Sequence, residues 1–264
     1  MQRVTILAAL PWECACAFSA LQEVRKGRSG PFPWWEGSAA RCIVRVVRTG
    51  IGMQRASDAF RASIAEFPCD VAINTGCAGG LIPALEPGSL IIAGEILGTS
   101  AESAIAVPGW LVEELHGAGR ASGLDVRIGR ELCVAEPLMT ATEKQRAARE
   151  LGAMAVDMES LGIAQAAREH GVSFGSVRAV LDAADSSLPS SEGLVHPDSG
   201  RVRPWNVFKK MVKDGSSAWT ELKALHSWKR RAEAALQAFF ATWLGECRPS
   251  ALASATALHG SNRR

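Results

Sequence analysis

The chain has 264 residues, of which 47% are hydrophobic and 21% charged, and a formal net charge of +2. That balance allows a sizeable core and excludes a disordered or fibrous chain. No stripe of Lys and Arg interleaved with aromatics marks a nucleic-acid partner, and no apolar run reaches the ~20 residues of a membrane span.

Residues 4–10 read as a first core strand. Arg3 before it and Ala15-Cys16-Ala17 after it imitate a secretion signal, but Pro11 and Glu13 interrupt the segment, so strand plus turn is the better reading. A second strand at 42–48 leads through Thr49-Gly50-Ile51-Gly52 into a helix at 53–66. A third, at 70–74, meets a glycine-rich turn, Gly76-Cys77-Ala78-Gly79-Gly80. Strands then follow at 89–96, 130–135, 155–157 and 174–181, with helices at 110–121, 142–151 and 160–170 between them. Thr140 or Thr142 would cap the third helix, with Glu143 in its first turn, and Gly171 would stop the fourth. Several strands are apolar nearly throughout, as strands covered on both faces are.

Strands alternating with helices predict a three-layer α/β/α domain with a central, mostly parallel mixed sheet. Residues 189–204 lack periodicity and form a candidate lid or binding loop. A long helix at 216–244 places Trp219, Leu222, Leu225, Leu236, Phe239, Phe240 and Trp243 on one apolar face, to pack on the domain or on a second copy in a homo-oligomer. Composition shifts to Ala, Ser, Pro and Arg after Gly245, so one domain at 1–245 and a disordered tail at 246–264 are expected. The seven cysteines show no CxxC pair and no Cys/His zinc spacing, so no metal and no cofactor are expected. Free thiols inside apolar strands fit a cytoplasmic protein.

Ligands of open α/β sheets bind beyond the carboxyl ends of the strands. Glu13 follows the first strand there, the Gly50–Gly52 turn the second, Gly76–Gly80 the third, Met158-Glu159 the strand at 155–157, and Asp182 the last. Each has a plainer reading. Glu13 alone is a solvated turn residue, Asp157 and Glu159 favour a helix N-terminus, Asp182 and Asp185 are turn formers, and the glycines serve tight turns. A dinucleotide site fails, because Gly50-Ile51-Gly52-Met53-Gln54-Arg55 lacks the third glycine.

Taken together, these segments resemble a known family. Ile73-Asn74-Thr75-Gly76-Cys77-Ala78-Gly79-Gly80-Leu81, running into Pro87-Gly88-Ser89-Leu90, resembles the central motif of methylthioadenosine/adenosylhomocysteine nucleosidases. Ala155-Val156-Asp157-Met158-Glu159-Ser160 resembles their Val-Glu-Met-Glu-Ala segment, and Arg178-Ala179-Val180-Leu181-Asp182-Ala183-Ala184-Asp185 their acid-bearing strand end. The resemblance covers about residues 3 to 186 and implies the purine nucleoside phosphorylase and nucleosidase superfamily and its fold. Leu10-Pro11-Trp12-Glu13 and Asp157-Met158-Glu159-Ser160 are most similar to hopanoid-associated phosphorylases, linked to removing adenine from adenosylhopane.

The resemblance implies cleavage of a purine N-glycosidic bond, with Asp182 as general acid at N7 and Glu13 acting on the nucleophile. Glu159 would bind the ribose hydroxyls and Met158 would lie against the sugar. Cys77 and Ile51 would line the nucleoside site, and Leu138 and Met139 would fall in the purine-contacting loop. Arg178 would support the acid loop. Similar bacterial phosphorylases carry an arginine where this chain has Asn74 and a serine where it has Cys77, so water is favoured over phosphate as second substrate. Leu181 also departs, replacing a serine before the acid. Leu188, Leu194, Val195, Trp205, Val207 and Phe208 would either line an apolar channel for the 5′ substituent or pack under the C-terminal helix. The main rival is a non-catalytic nucleoside-binding module, which would bind purines without turnover.

Overall fold

The computed structural model describes residues 1–40, 42–99, 104–186 and 204–246, with side chains of the last segment from residue 223 onward. The strands are β1 (Gln2–Ala8), β2 (Gln22–Ser29), β3 (Phe32–Ala39), β4 (Cys42–Arg48), β5 (Val71–Gly80), β6 (Leu90–Leu97), β7 (Ile105–Ala106), β8 (Val126–Cys133), β9 (Ala155–Asp157) and β10 (Ser173–Asp182). The helices are α1 (Pro11–Phe18), α2 (Met53–Glu66), α3 (Gly109–Ala121), α4 (Ala141–Leu151), α5 (Ser160–Glu169) and α6 (Pro204–Gly245).

The ten strands among the described residues form one mixed sheet. Its centre is parallel, in the order β4-β1-β5-β10, and β6, β8 and β9 are parallel to one another. β10 pairs antiparallel with β6, while β9 returns antiparallel to the end of β5, closing a ring through β5, β10, β6, β8 and β9. β2, β3 and β4 add an antiparallel meander on the far side of β1. Helices α2 and α5 pack on each other, and α6 packs on α1, α3 and β10.

β5 explains much of this closure. Its first half, Val71-Ala72-Ile73, is fully buried between neighbours on both sides. The glycine-rich segment expected as a turn instead continues the strand to Gly80, because small residues let β9 and β10 approach it. A Cβ on Gly79 would lie 3.0 Å from Val156 Cγ1, and one on Gly80 would lie 3.1 Å from the Asp182 carbonyl.

The segment after β1 is also not the expected turn. Leu10 is extended and Pro11 opens α1, where a missing N–H costs nothing and the fixed φ suits the helix. β2 and β3 escaped the sequence reading. β2 is almost wholly exposed and rich in charge, without apolar alternation, and β3 contains Pro33. Thr140 caps α4 as expected, accepting from the Glu143 N–H while the Glu143 carboxylate accepts from the Thr140 N–H.

Helix α6 begins earlier than its apolar pattern implied. Ala232, Leu236, Phe239, Phe240, Trp243 and Leu244 are buried in the main core, and Trp243 Nε1 donates to Glu114 Oε1 at 2.8 Å. Leu225 is half-buried, whereas Trp219 and Leu222 belong to positions whose side chains lie outside the described residues. Residues 189–203 of the candidate lid, Leu194 and Val195 among them, lie outside the described residues, as do Leu188 and the side chains of Trp205, Val207 and Phe208.

Candidate active site

Four elements deliver acids to one place. In α1, Glu13 Oε2 accepts from the Leu10 N–H at 2.8 Å, folding the side chain back over the first turn. Its Oε1 accepts from the Cys77 N–H at 2.9 Å, tying the helix to β5. The close approach requires Gly76, which has φ +137° and whose Cβ would lie 2.7 Å from Glu13 Oε1 and 2.8 Å from Arg178 Nη1. Burial raises the Glu13 carboxyl above its usual range, against the pull of Arg178.

The turn after β9 separates two acids that the sequence left with the same alternatives. Asp157 is the structural one. Its Oδ2 accepts from the Glu159 and Ser160 N–H groups at 3.1 and 2.8 Å, and its Oδ1 from the Ser160 hydroxyl at 2.6 Å, so it caps α5. Glu159 makes no cap bond of that kind. Its Oε1 instead accepts from the Gly52 N–H at 2.9 Å, which brings the glycine turn before α2 into the site. Burial is the main cause pushing Glu159 up to about 7, with Asp157 adding to it and Arg178 opposing.

Arg178 in β10 is the hub beneath these groups, only 1% exposed. Its Nη2 donates to Asp157 and, at 3.2 Å, to Glu159 Oε2, while Nε donates to Glu131 Oε1 at 3.2 Å. Its Nη1 donates to the Thr75 carbonyl at 3.2 Å. The expected support of the Asp182 loop is therefore corrected: Arg178 holds the acids of β8 and β9 together. Burial, then Asp157, pushes Glu131 up to about 8. One guanidinium facing three carboxylates leaves charge uncompensated in a dry interior.

Asp182 ends β10 and pairs with Lys144 of α4, both side chains being 2% exposed or less. Lys144 Nζ also donates to the carbonyls of Ala183 at 2.9 Å and Ser186 at 2.8 Å. Burial raises the Asp182 carboxyl and Lys144 pulls it back, with a net upward direction. No sequence signal pointed to Lys144. It sits in Ala-Thr-Glu-Lys-Gln-Arg, where one buried cation looks like its solvated neighbours.

A cavity of about 180 Å³ opens among these groups. Glu13, Ile51, Cys77, Leu138, Met158, Glu159 and Asp182 all line it, together with Leu181 and Arg178. Met139 does not. Its backbone N–H donates to Glu143 Oε2 at 3.0 Å, placing it on the capping turn of α4. Burial and the nearby Glu13 push the Cys77 thiol well above its ordinary value, so it is an inert wall rather than a nucleophile. Asn74 is buried, and its amide donates to Asp157 at 3.3 Å.

Fold and site together define an α/β enzyme whose cavity is furnished with buried carboxyl groups at the ends of separate strands. The family model of the phosphorylase superfamily matches residues 3–194, and the chain belongs to that superfamily. It is similar to a 5′-methylthioadenosine/S-adenosylhomocysteine nucleosidase of Shewanella sp. (strain MR-7), 27% identical over 207 residues that cover 71% of this chain and 86% of the relative. Among solved structures, the nucleosidase of that name from Neisseria meningitidis, in complex with methylthio-immucillin-A, aligns with TM-score 0.73 and 22% identity over 93% of this chain and 99% of its own. Futalosine hydrolase of Helicobacter pylori aligns with TM-score 0.70 and 17% identity, covering 92% and 97%. Likenesses at this identity concern the fold. Among the described residues, no helix is long and apolar enough to cross a membrane.

Proposed function

We propose that this enzyme hydrolyses the N-glycosidic bond of an adenine nucleoside bearing a 5′ substituent, releasing the free base. The observation that carries the reading is the convergence of Glu13, Glu159 and Asp182, from three separate parts of the chain, on one largely apolar cavity. The nucleosidase names of the relatives and the methylthio-immucillin-A bound to a structural neighbour support the same substrate class.

Breaking the bond from C1′ to N9 puts negative charge on the base and leaves an oxocarbenium-like ribosyl carbon. Asp182 gives its proton to N7, so the base leaves neutral, and burial raises this carboxyl in the direction the step requires. Glu159 accepts hydrogen bonds from the ribose hydroxyls, and Met158 lies against the sugar. Glu13 takes the proton of the attacking water as its oxygen bonds to C1′, giving the 5′-substituted ribose. Ile51, Cys77 and Leu138 complete the wall and keep bulk water out.

Phosphate would need cations or several free N–H donors. Among the described residues, the one basic side chain lining the cavity is Arg178, already committed to three carboxylates. This supports water over phosphate as the nucleophile. Incubation with methylthioadenosine in ¹⁸O-water, with and without phosphate, should yield adenine and labelled methylthioribose at a rate independent of phosphate. A phosphorylated sugar product would overturn the hydrolytic assignment.

The finer reading is a large apolar 5′ group, such as the chain of adenosylhopane, in keeping with the resemblance of residues 10–13 and 157–160. Each added methylene buried contributes about 0.8 kcal/mol. A 5′-alkyl adenosine several carbons longer than methylthioadenosine should gain about ten-fold or more in kcat/KM. A steady fall with chain length would return the assignment to a methylthioadenosine-type substrate.

A further inference from the structure

The Lys144–Asp182 pair has no place in the chemistry above, although it joins the acid to a helix otherwise remote from the reacting bond. Lys144 is fully buried, and three hydrogen bonds use its three ammonium protons: Asp182 Oδ2, the Ala183 carbonyl and the Ser186 carbonyl. All three acceptors lie at or just beyond the end of β10. Leu181, beside the acid, is an alkyl side chain with no hydrogen bond to offer. Among the described residues, the orienting contact on the Asp182 side chain therefore comes from α4.

We propose that Lys144 is the positioning residue of the general acid: by occupying Oδ2 it leaves Oδ1 as the oxygen that carries a proton to the base, and it fixes the end of β10 so that this oxygen faces the cavity. The inference rests on Asp182 being the acid. A carboxyl with one oxygen claimed by an ammonium group has a single oxygen left to protonate, so rotamer and proton position are chosen together. That orientation has a cost, because the cation also favours the ionised carboxylate. Lys144 thus sets the pH above which the acid is lost. The other charged groups around the cavity are Glu13 from α1, Asp157 and Glu159 around the end of β9, and Arg178 from β10. Among the described residues, Lys144 is the charged group paired with Asp182.

The test compares Lys144→Met, Asp182→Asn and the double variant on methylthioadenosine, following kcat, KM and the pH dependence of kcat/KM. Lys144→Met should lower kcat by about ten-fold to a hundred-fold, the scale of a misplaced catalytic group, with KM little changed. Its alkaline limb should move to higher pH, since the carboxyl loses the cation that favours ionisation. The double variant should be no slower than Asp182→Asn, because a positioning residue has nothing to position once the acid is gone. Lys144→Gln keeps a donor without the charge and gives the same readings should Lys144→Met not fold. It should recover part of kcat yet show the shifted limb. An unmoved alkaline limb, or losses that multiply in the double variant, would overturn the inference. An inactive Asp182→Asn beside a normal Lys144→Met removes Lys144 alone, whereas a fully active Asp182→Asn removes the acid assignment and this inference with it.

Discussion

Glu159 and Glu131 share one guanidinium, and their ionisation makes two behaviours measurable. Glu159 is pushed up to about 7 mainly by burial, and in its proposed role the ionised form is the one that accepts from two ribose hydroxyls. Glu159→Gln replaces an ionised acceptor by a neutral amide. It should lower kcat/KM for ribosides by about ten-fold to a hundred-fold, at roughly 1.5–3 kcal/mol for a charged hydrogen bond. The loss should be smaller for 2′-deoxyribosides, and equal losses on both substrates would argue against contact with the sugar hydroxyls. Glu131 affects stability. Its folded value of about 8 stands above its ordinary 4.5, so the folded protein holds a proton that the unfolded chain releases between those values. The contribution is full below about 4.5 and is lost as pH rises through about 8. Glu131→Gln cannot ionise, so its Tm relative to the parent protein should become more favourable from pH 6 to pH 9. A Tm difference independent of pH would show that Glu131 is ionised throughout.

At the level of elements, patterns with apolar periodicity were legible and the rest were not. Helix α2 was expected at 53–66 and is found at Met53–Glu66, because its buried residues recur at helical spacing. The β2–β3 pair was invisible because charged residues such as Arg25 and Lys26 fill a strand that faces solvent. The end of β5 was misread because glycine is a turn former in isolation and a close-packing residue beside β9 and β10. Seven of the eight site residues meet in one cavity, because the carboxyl ends of the strands gather there even where an expected turn is helix, as at Glu13, or strand, as at Cys77. Lys144 and Glu131 were missed because burial of a charged side chain leaves no mark on the sequence. The C-terminal helix makes the sharpest prediction at this scale. Phe240 is fully buried and stacks edge-on to Phe239 with ring centroids 5.2 Å apart. Phe240→Ala should destabilise the protein by about 3–5 kcal/mol, as large-to-small core changes do. Urea unfolding measures this, and a loss under about 1 kcal/mol would mean that α6 is not integral to the core.

For the whole molecule, the decisive feature is that one end of the sheet closes on its own central strand. β5 serves three neighbours, and the cavity lies where its end meets β9 and β10. Such pairing joins residues far apart in the chain, as when Val71 meets Ser173, and contacts of that separation slow folding. Closure has a second effect, on how copies of the chain behave towards one another. Any strand with a bare side offers a row of unpaired N–H and C=O groups to a stray partner. Among the described strands longer than two residues, β2 alone has a neighbour on one side only. That exposed border carries Arg25, Lys26 and Arg28, whose like charges oppose the docking of an identical border in register. The ring covers the other border where β9 pairs with the end of β8, at Glu131–Cys133, and so shortens the second edge that needs protection from edge-to-edge aggregation.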